Sequence, residues 1–224
     1  MFFVLNGYEL ITNQTLEPTQ LAGFNQFFDD FNGTKIYATG MAVDLKPTSH
    51  FAYGLEYFRR DLDVPETKTG GGITINTNNQ DQHKLVFDWN ISPAWTLDAE
   101  YLYEKFTNET KNPTTLKTTS VPFKLRLFSP KGVFASLQAT YVKQEAAFSG
   151  ATSFAQREEN FTLVDFGLGY RLPNRRGTIS VEATNLFDRN FIYQDYYLFS
   201  GNSFNFNPRY LPNRSVIGRV TLSF

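Results

Sequence analysis

The 224-residue chain contains no cysteine. Disulfide frameworks, thiolate metal centres and cysteine nucleophiles are thereby excluded, while the redox state of its compartment stays open. Histidine is nearly absent too, and His50 and His83 alone leave little for a histidine-based metal site. Neither sign of charge dominates: 21 Lys and Arg against 22 Asp and Glu give a net charge of -1, so nothing in the balance attracts nucleic acid. Long apolar runs are lacking as well, the longest being about five residues against the ~18 that a spanning helix needs. Met1-Phe2-Phe3-Val4-Leu5, followed by Asn6-Gly7-Tyr8, has no basic region, no apolar stretch of signal length and no small-residue cleavage site. A place in a membrane would therefore have to be taken by strands.

Aromatic side chains are what the chain has in excess. They make up 17% of it, 23 Phe, 12 Tyr and 2 Trp, yet the mean hydropathy is only -0.35. Alternating segments with turn chemistry at their ends explain that combination. Val121, Phe123, Leu125 and Leu127 fall on one face, with Ser120, Pro122, Lys124 and Arg126 on the other. Val133 to Val142, Thr162 to Arg171, Thr178 to Ala183 and Ser215 to Phe224 alternate in the same way. Leu97, Ala99, Tyr101 and Tyr103 oppose Asp98, Glu100, Leu102 and Glu104; Leu85, Phe87 and Trp89 oppose Val86, Asp88 and Asn90. Phe51 to Phe58 and Tyr37 to Lys46 give two more strands, Thr19 to Phe28 another of unassigned facing, and Phe3 to Ile11 an eleventh.

The connections alternate in length. Short turns at Lys46-Pro47-Thr48-Ser49, Ser92-Pro93-Ala94, Ser129-Pro130-Lys131-Gly132 and Pro173 to Gly177 are rich in Pro, Gly, Ser and Asn. Between them lie longer polar links, Val64 to Gln82, Asn108 to Leu116, Glu145 to Glu158 and Asp188 to Arg214. All short turns then emerge on one side of an up-and-down sheet and all long loops on the other, the layout of outer-membrane barrels. Alternation alone fits a soluble sandwich or a lipocalin-like barrel equally. Two further features favour the membrane. Glu56, Asp88, Glu100, Glu104, Lys124, Arg126, Asp165 and Arg171 all lie opposite the aromatic face, giving a polar interior and an apolar exterior. Phe51, Tyr57, Tyr103, Tyr141 and Tyr170 stand toward strand ends on the apolar face, where headgroup girdles are built. The expected fold is all-β, an antiparallel up-and-down transmembrane barrel of about ten strands.

In the last strand Val216, Val220, Leu222 and Phe224 share one face, which resembles the C-terminal signal read by the barrel-assembly machinery. Upstream, Gly177-Thr-Ile-Ser-Val-Glu-Ala-Thr-Asn-Leu-Phe-Asp188 resembles the penultimate strand of TonB-dependent receptors, the match being carried by Asn185, Leu186, Phe187 and Asp188. Pro208-Arg209 to Phe224 is similar to that family's closing loop and strand. Leu16-Glu17-Pro18-Thr19 is similar to its Leu-x-Pro-Glu entry, with Thr19 in place of the acid. The resemblance implies a barrel of twenty-two strands plugged by an N-terminal domain with a TonB box and a signal peptide, none of which is found in the sequence. At ~9–11 residues per strand, twenty-two strands would consume the whole chain. The chain is accordingly expected to be the C-terminal part of such a barrel, in the bacterial outer membrane, with Met1 an internal methionine or a truncated start.

For the intact protein the resemblance implies energised uptake of a scarce ligand, a ferric siderophore, cobalamin or a glycan. Its partners would be outer-membrane lipid, the plug domain of the same protein and, through it, TonB, and an extracellular small molecule, with no nucleic acid and no cofactor. The aromatic loop Asn190 to Tyr210 supplies candidate ligand contacts, Phe191, Tyr193, Tyr196, Tyr197, Phe199, Phe204, Phe206 and Tyr210, since rings give large contact area at low entropy cost. The plainer alternative is that these rings pack the loop or sit at the membrane boundary. A rival is a self-contained ten-stranded barrel acting as an adhesin or an omptin-like protease. Its carboxylates would be Asp44, Glu56, Asp88, Glu100 and Asp165, but these are spread over several strands and read better as lumen residues, so no enzyme is expected. A soluble β-sandwich binding module remains only if the aromatic face is interior. Gly70-Gly71-Gly72 lacks the Lys-Ser/Thr of a phosphate loop, and the Asn-x-Ser/Thr triplets carry no weight.

Overall fold

The computed structural model describes residues 2–10, 17–21, 24–28, 33–68, 70–108, 113–149, 156–191 and 214–223, the first three stretches and residues 156, 157 and 175 as backbone alone. Among the described residues twelve strands follow one another: β1 (Phe2–Leu10), β2 (Glu17–Leu21), β3 (Phe24–Phe28), β4 (Lys35–Thr48), β5 (Phe51–Thr67), β6 (Ile73–Ser92), β7 (Trp95–Asn108), β8 (Thr115–Phe128), β9 (Val133–Ala147), β10 (Gln156–Arg171), β11 (Gly177–Thr184) and β12 (Ser215–Leu222). Among the described residues the one helical piece is a 3-10 turn, Pro173–Arg175. Ten strands form one sheet in the order β1-β4-β5-β6-β7-β8-β9-β10-β11-β12, while β2 and β3 pair separately. Every pairing is antiparallel, and from β4 onward each strand lies beside its neighbour in sequence. Among the described residues the sheet is not closed, since β1 and β12 each have a partner on one side only.

Thr19 to Phe28, expected to be one strand, is two, because the chain turns back between Leu21 and Phe24. The link expected over Val64 to Gln82 is mostly strand, with β5 and β6 in register as far as Thr67 opposite Ile73. Asn76, Thr77, Asn78, Asn79 and Gln80 are polar on both faces, so their hydropathy has no period to read. The same extension carries β9 to Ala147 and β10 back to Gln156. His83 consequently lies inside a strand rather than beside a loop.

Two residues that look misplaced on paper are accommodated locally. Pro122 sits in the middle of β8 with no N–H to give. The β7–β8 pairing lapses opposite it and resumes in the same register on both sides, Ala99 with Phe123 and Leu102 with Ser120. Phe134, the ring that falls on the polar face of β9, lies across Gly169 of β10, where a Cβ would run into it. The short turn before β9 needs Gly132 at a φ of 94°, its N–H donating to the Ser129 carbonyl at 2.9 Å.

The packed apolar groups lie on the polar face, not the aromatic one. Phe106, Leu116, Ala146 and Phe148 form one buried cluster, Ile36, Leu62 and Val64 a second, and Val142, Phe161 and Phe191 a third. All three stand toward the long-loop ends of their strands. The half of the polar face nearer the short turns carries most of its charge, although Arg60 is buried in the other half.

Candidate functional site

Pairing places side chains on faces as alternation predicts. On β5 the outward residues are Phe51, Tyr53, Leu55 and Tyr57; register carries this face to Leu85 and Phe87, to Phe123, to Leu137 and to Phe166 and Leu168. These apolar side chains are exposed, Leu55 at 53% and Leu168 at 49%, whereas Glu56 and Gln144 on the other face are only 3% and 4% exposed. Over the length of the apolar zone burial is thus inverted relative to a water-soluble sheet, whereas nearer the long loops Phe58, Leu62 and Phe106 are buried on the same side as Gln144.

The apolar face has two zones along every long strand. Tyr57 is followed outward by Arg59, Asp61 and Asp63, Tyr103 by Lys105 and Thr107, and Tyr141 by Lys143 and Glu145. On β6 the run back from Trp89 through His83 gives way to Asp81 and Asn79, and on β10 Val164 gives way to Thr162 and Asn160. The apolar zone spans seven residues from Phe51 to Tyr57 and nine from Val133 to Tyr141, about 20–26 Å along the strand at ~3.3 Å per residue.

Beyond β7 that zone slides against the hydrogen-bond register. Its upper limit on β4 to β7 is one row of partners, Met41, Tyr57, His83 and Tyr103. Following partners across the sheet, Phe51 shares a row with Trp89, Leu97, Leu125, Leu137, Phe166, Ala183 and Val216. The row at the bottom of the apolar zone on β5 is therefore the row at its top on β12. From Met41 to Val216 the limit descends three rows over eight strand steps, about 20 Å along the strands against about 38 Å across them. A plane drawn along the zone crosses the strands at a tilt of roughly 30°.

On the polar face the charged half carries Lys84 with Glu100 at 3.2 Å and Arg126 with Asp98 at 2.8 Å. Asp88 faces Asp98 directly across β6 and β7. Asp44, Glu56, Asp88, Glu100 and Asp165 all lie on this face but on five different strands, and among the described residues no three His, Asp or Glu side chains converge as metal ligands. Among the described residues neither carboxylate oxygen of Glu56 has a hydrogen-bond partner. Nearer the long loops, Arg60 donates to Gln80 at 3.2 Å and Gln144 to Thr118 at 3.0 Å. His50 lies in a short turn with its backbone N–H on the Thr48 hydroxyl at 3.2 Å. His83 stands on the apolar face between the rings of Tyr57 and Tyr103, at 5.0 and 5.9 Å between centroids.

Asn185, Leu186, Phe187 and Asp188 form a compact turn that ends β11. Asn185 and Asp188 hold left-handed backbone at φ 48° and 52°, a conformation that Asn and Asp tolerate. The buried Asn185 side chain brackets Arg189, its amide donating to the Arg189 carbonyl at 3.0 Å and its oxygen accepting the Arg189 N–H at 2.8 Å. Asp165 of β10 accepts the Asn185 N–H at 2.8 Å, and the Leu186 N–H reaches the Val164 carbonyl at 2.8 Å. Asp188 accepts the N–H of Arg214, the residue before β12, at 2.9 Å. The two feet of the connection from β11 to β12 are thereby tied together. Phe187 is exposed on the turn.

Phe191, a candidate ligand contact, is buried and stacked on Phe161 with centroids 4.3 Å apart. Tyr193, Tyr196, Tyr197, Phe199, Phe204, Phe206 and Tyr210 lie outside the described residues, as does Phe224. Val216, Val220 and Leu222 share the exposed apolar face of β12. The roles of Asp165 and Arg214 escaped the sequence, because partners 20 and 26 residues away are set by strand register. A groove of about 630 Å³, lined by Met41, Ala42, Val43, Leu55, Glu56, Tyr57, Asp81, His83, Tyr103 and Lys105, lies at the upper limit of the apolar zone.

No family model, no curated protein and no solved structure matches the chain.

Proposed function

We propose that this chain is the C-terminal β-barrel segment of a TonB-dependent receptor in the bacterial outer membrane, taking part in energised uptake of a scarce ligand. One observation carries the reading, the exposed apolar zone of nearly constant width that descends three rows across the sheet. Its length of about 20–26 Å is comparable with the ~25 Å lipid-facing band of outer-membrane barrels, and its tilt of roughly 30° approaches their ~35–45°. A soluble sandwich would bury that face instead.

The choice of family rests on the Asn185 to Asp188 turn and on the closing strand with its terminal Phe224. The two edges that are free among the described residues favour a segment of a larger barrel over a complete small one, because an unpaired edge in lipid leaves polar groups costing several kcal/mol each. In this role the apolar zone lies in lipid, the charged half of the polar face meets the plug, and the long loops meet ligand.

Immunoblotting of the source cell's outer-membrane fraction, with an antibody raised against the Asp188 to Arg214 loop, tests the reading. A band several times heavier than 25.7 kDa is expected. A band near that mass in the same fraction would favour the self-contained barrel, adhesin or protease, and absence from the membrane would refute both.

A further inference from the structure

The groove at the top of the apolar zone has a composition that lipid-facing surface alone does not require. Met41, Val43 and Leu55 form its lower wall, Tyr57, His83 and Tyr103 a row of rings, and Asp81 and Lys105 its rim. Its volume of about 630 Å³ is within the ~300–1,000 Å³ of small-molecule sites. Across β7 and β8, Lys105 directly faces Lys117, a like-charge pair that destabilises a sheet, while on their other sides Lys105 faces Asp81 and Lys117 faces Glu145.

The adjacent strands make the contrast. Glu145 and Glu158 also face each other directly, and there Lys143 bridges them at 2.9 and 3.1 Å. Lys117 reaches only Glu145, at 3.7 Å, and among the described residues Lys105 has no ion-pair partner. We propose that the groove binds one membrane lipid with a phosphate-bearing headgroup, its acyl chains against Met41 and Leu55 and its phosphate between Lys105 and Lys117. The inference rests on the outer-membrane reading above. The headgroup then supplies to the lysines what Lys143 supplies to the glutamates. Hydroxyls of amphipathic tyrosines at this level suit the same boundary.

The test is native mass spectrometry of the purified full-length protein in detergent, titrated with phosphatidylglycerol and with diacylglycerol of identical chains. One phosphatidylglycerol is expected to bind more tightly than diacylglycerol. Lys105→Gln with Lys117→Gln is expected to weaken it about tenfold, leaving diacylglycerol binding unchanged, while Lys131→Gln at a short turn changes neither. Equal binding of the two lipids, or an unaffected double variant, would overturn the site and identify the groove as a general apolar surface for any chain or detergent. Membrane fractionation of the same strains separates the two claims. A membrane-integrated protein without headgroup preference loses only the lipid site, whereas a protein soluble without detergent loses the membrane reading as well.

Discussion

At the scale of single residues, the turn after β11 is where a short motif acquires a mechanism. Asn185 satisfies both backbone groups of Arg189 while sitting buried in left-handed backbone. Asn185→Ala is expected to lower folding stability by about 1–3 kcal/mol, since the Arg189 groups lose their partner and alanine resists that φ. The denaturant midpoint of the folded protein in detergent measures this. A different kind of residue effect comes from Lys143, whose hydrogen bonds with Glu145 and Glu158 raise its pKa above the ordinary lysine value. Hydrogen bonding to Lys143 first, and its charge second, hold Glu145 below the usual 4.5. A depressed carboxylate stabilises the fold above its unfolded pKa and loses that contribution as pH falls through its folded one. Stability is therefore expected to decline as pH drops below about 4.5, and Glu145→Gln should shrink the difference between midpoints at pH 7 and pH 3. An unchanged difference would remove Glu145 from the account.

At the scale of elements, face assignment decides what a substitution does. Leu137 stands mid-zone on the apolar face of β9 and Gln138, its neighbour, on the polar face. Leu137→Arg is expected to cost about 2–4 kcal/mol, the range for a cation at the bilayer midplane, and to deplete the protein from the outer membrane. Gln138→Arg should leave its level within twofold of wild type on quantitative blotting. The strands from β4 to β12 were legible in sequence wherever one face was apolar and the other polar, as on β7 and β9. Where both faces are polar, as from Asn76 to Gln80, or where the pattern ran across a turn, as from Thr19 to Phe28, periodicity had nothing to report. The candidate site was legible only in part. Asn185 to Asp188 stood out as a motif, but the Asp165 and Arg214 partners, the Lys105 and Lys117 pair and the groove depend on cross-strand register, which a linear sequence does not carry.

At the scale of the whole molecule, the zone's descent links local alternation to global shape. Alternation makes a two-faced sheet; only a constant-width zone sliding against the register makes a sheet tilted to a plane. Deletion of Phe224, the end of the proposed assembly signal, is expected to reduce outer-membrane levels, measured by blotting, without altering the denaturant midpoint of protein that does insert. The central claim is that the apolar zone lies in lipid, and the sequence contains its own probes. Trp89 and Trp95, the two tryptophans, both stand on the apolar face near the short turns. The most direct measurement is quenching of tryptophan fluorescence by brominated phospholipids, in the reconstituted full-length protein and in its Trp89→Phe, Trp95→Phe variant. A component quenched by bromine on the acyl chains, little affected by aqueous iodide and lost in the double variant, is the predicted result. A component lost in the variant but quenched by iodide and not by bromolipid would put the aromatic face in water and contradict the account.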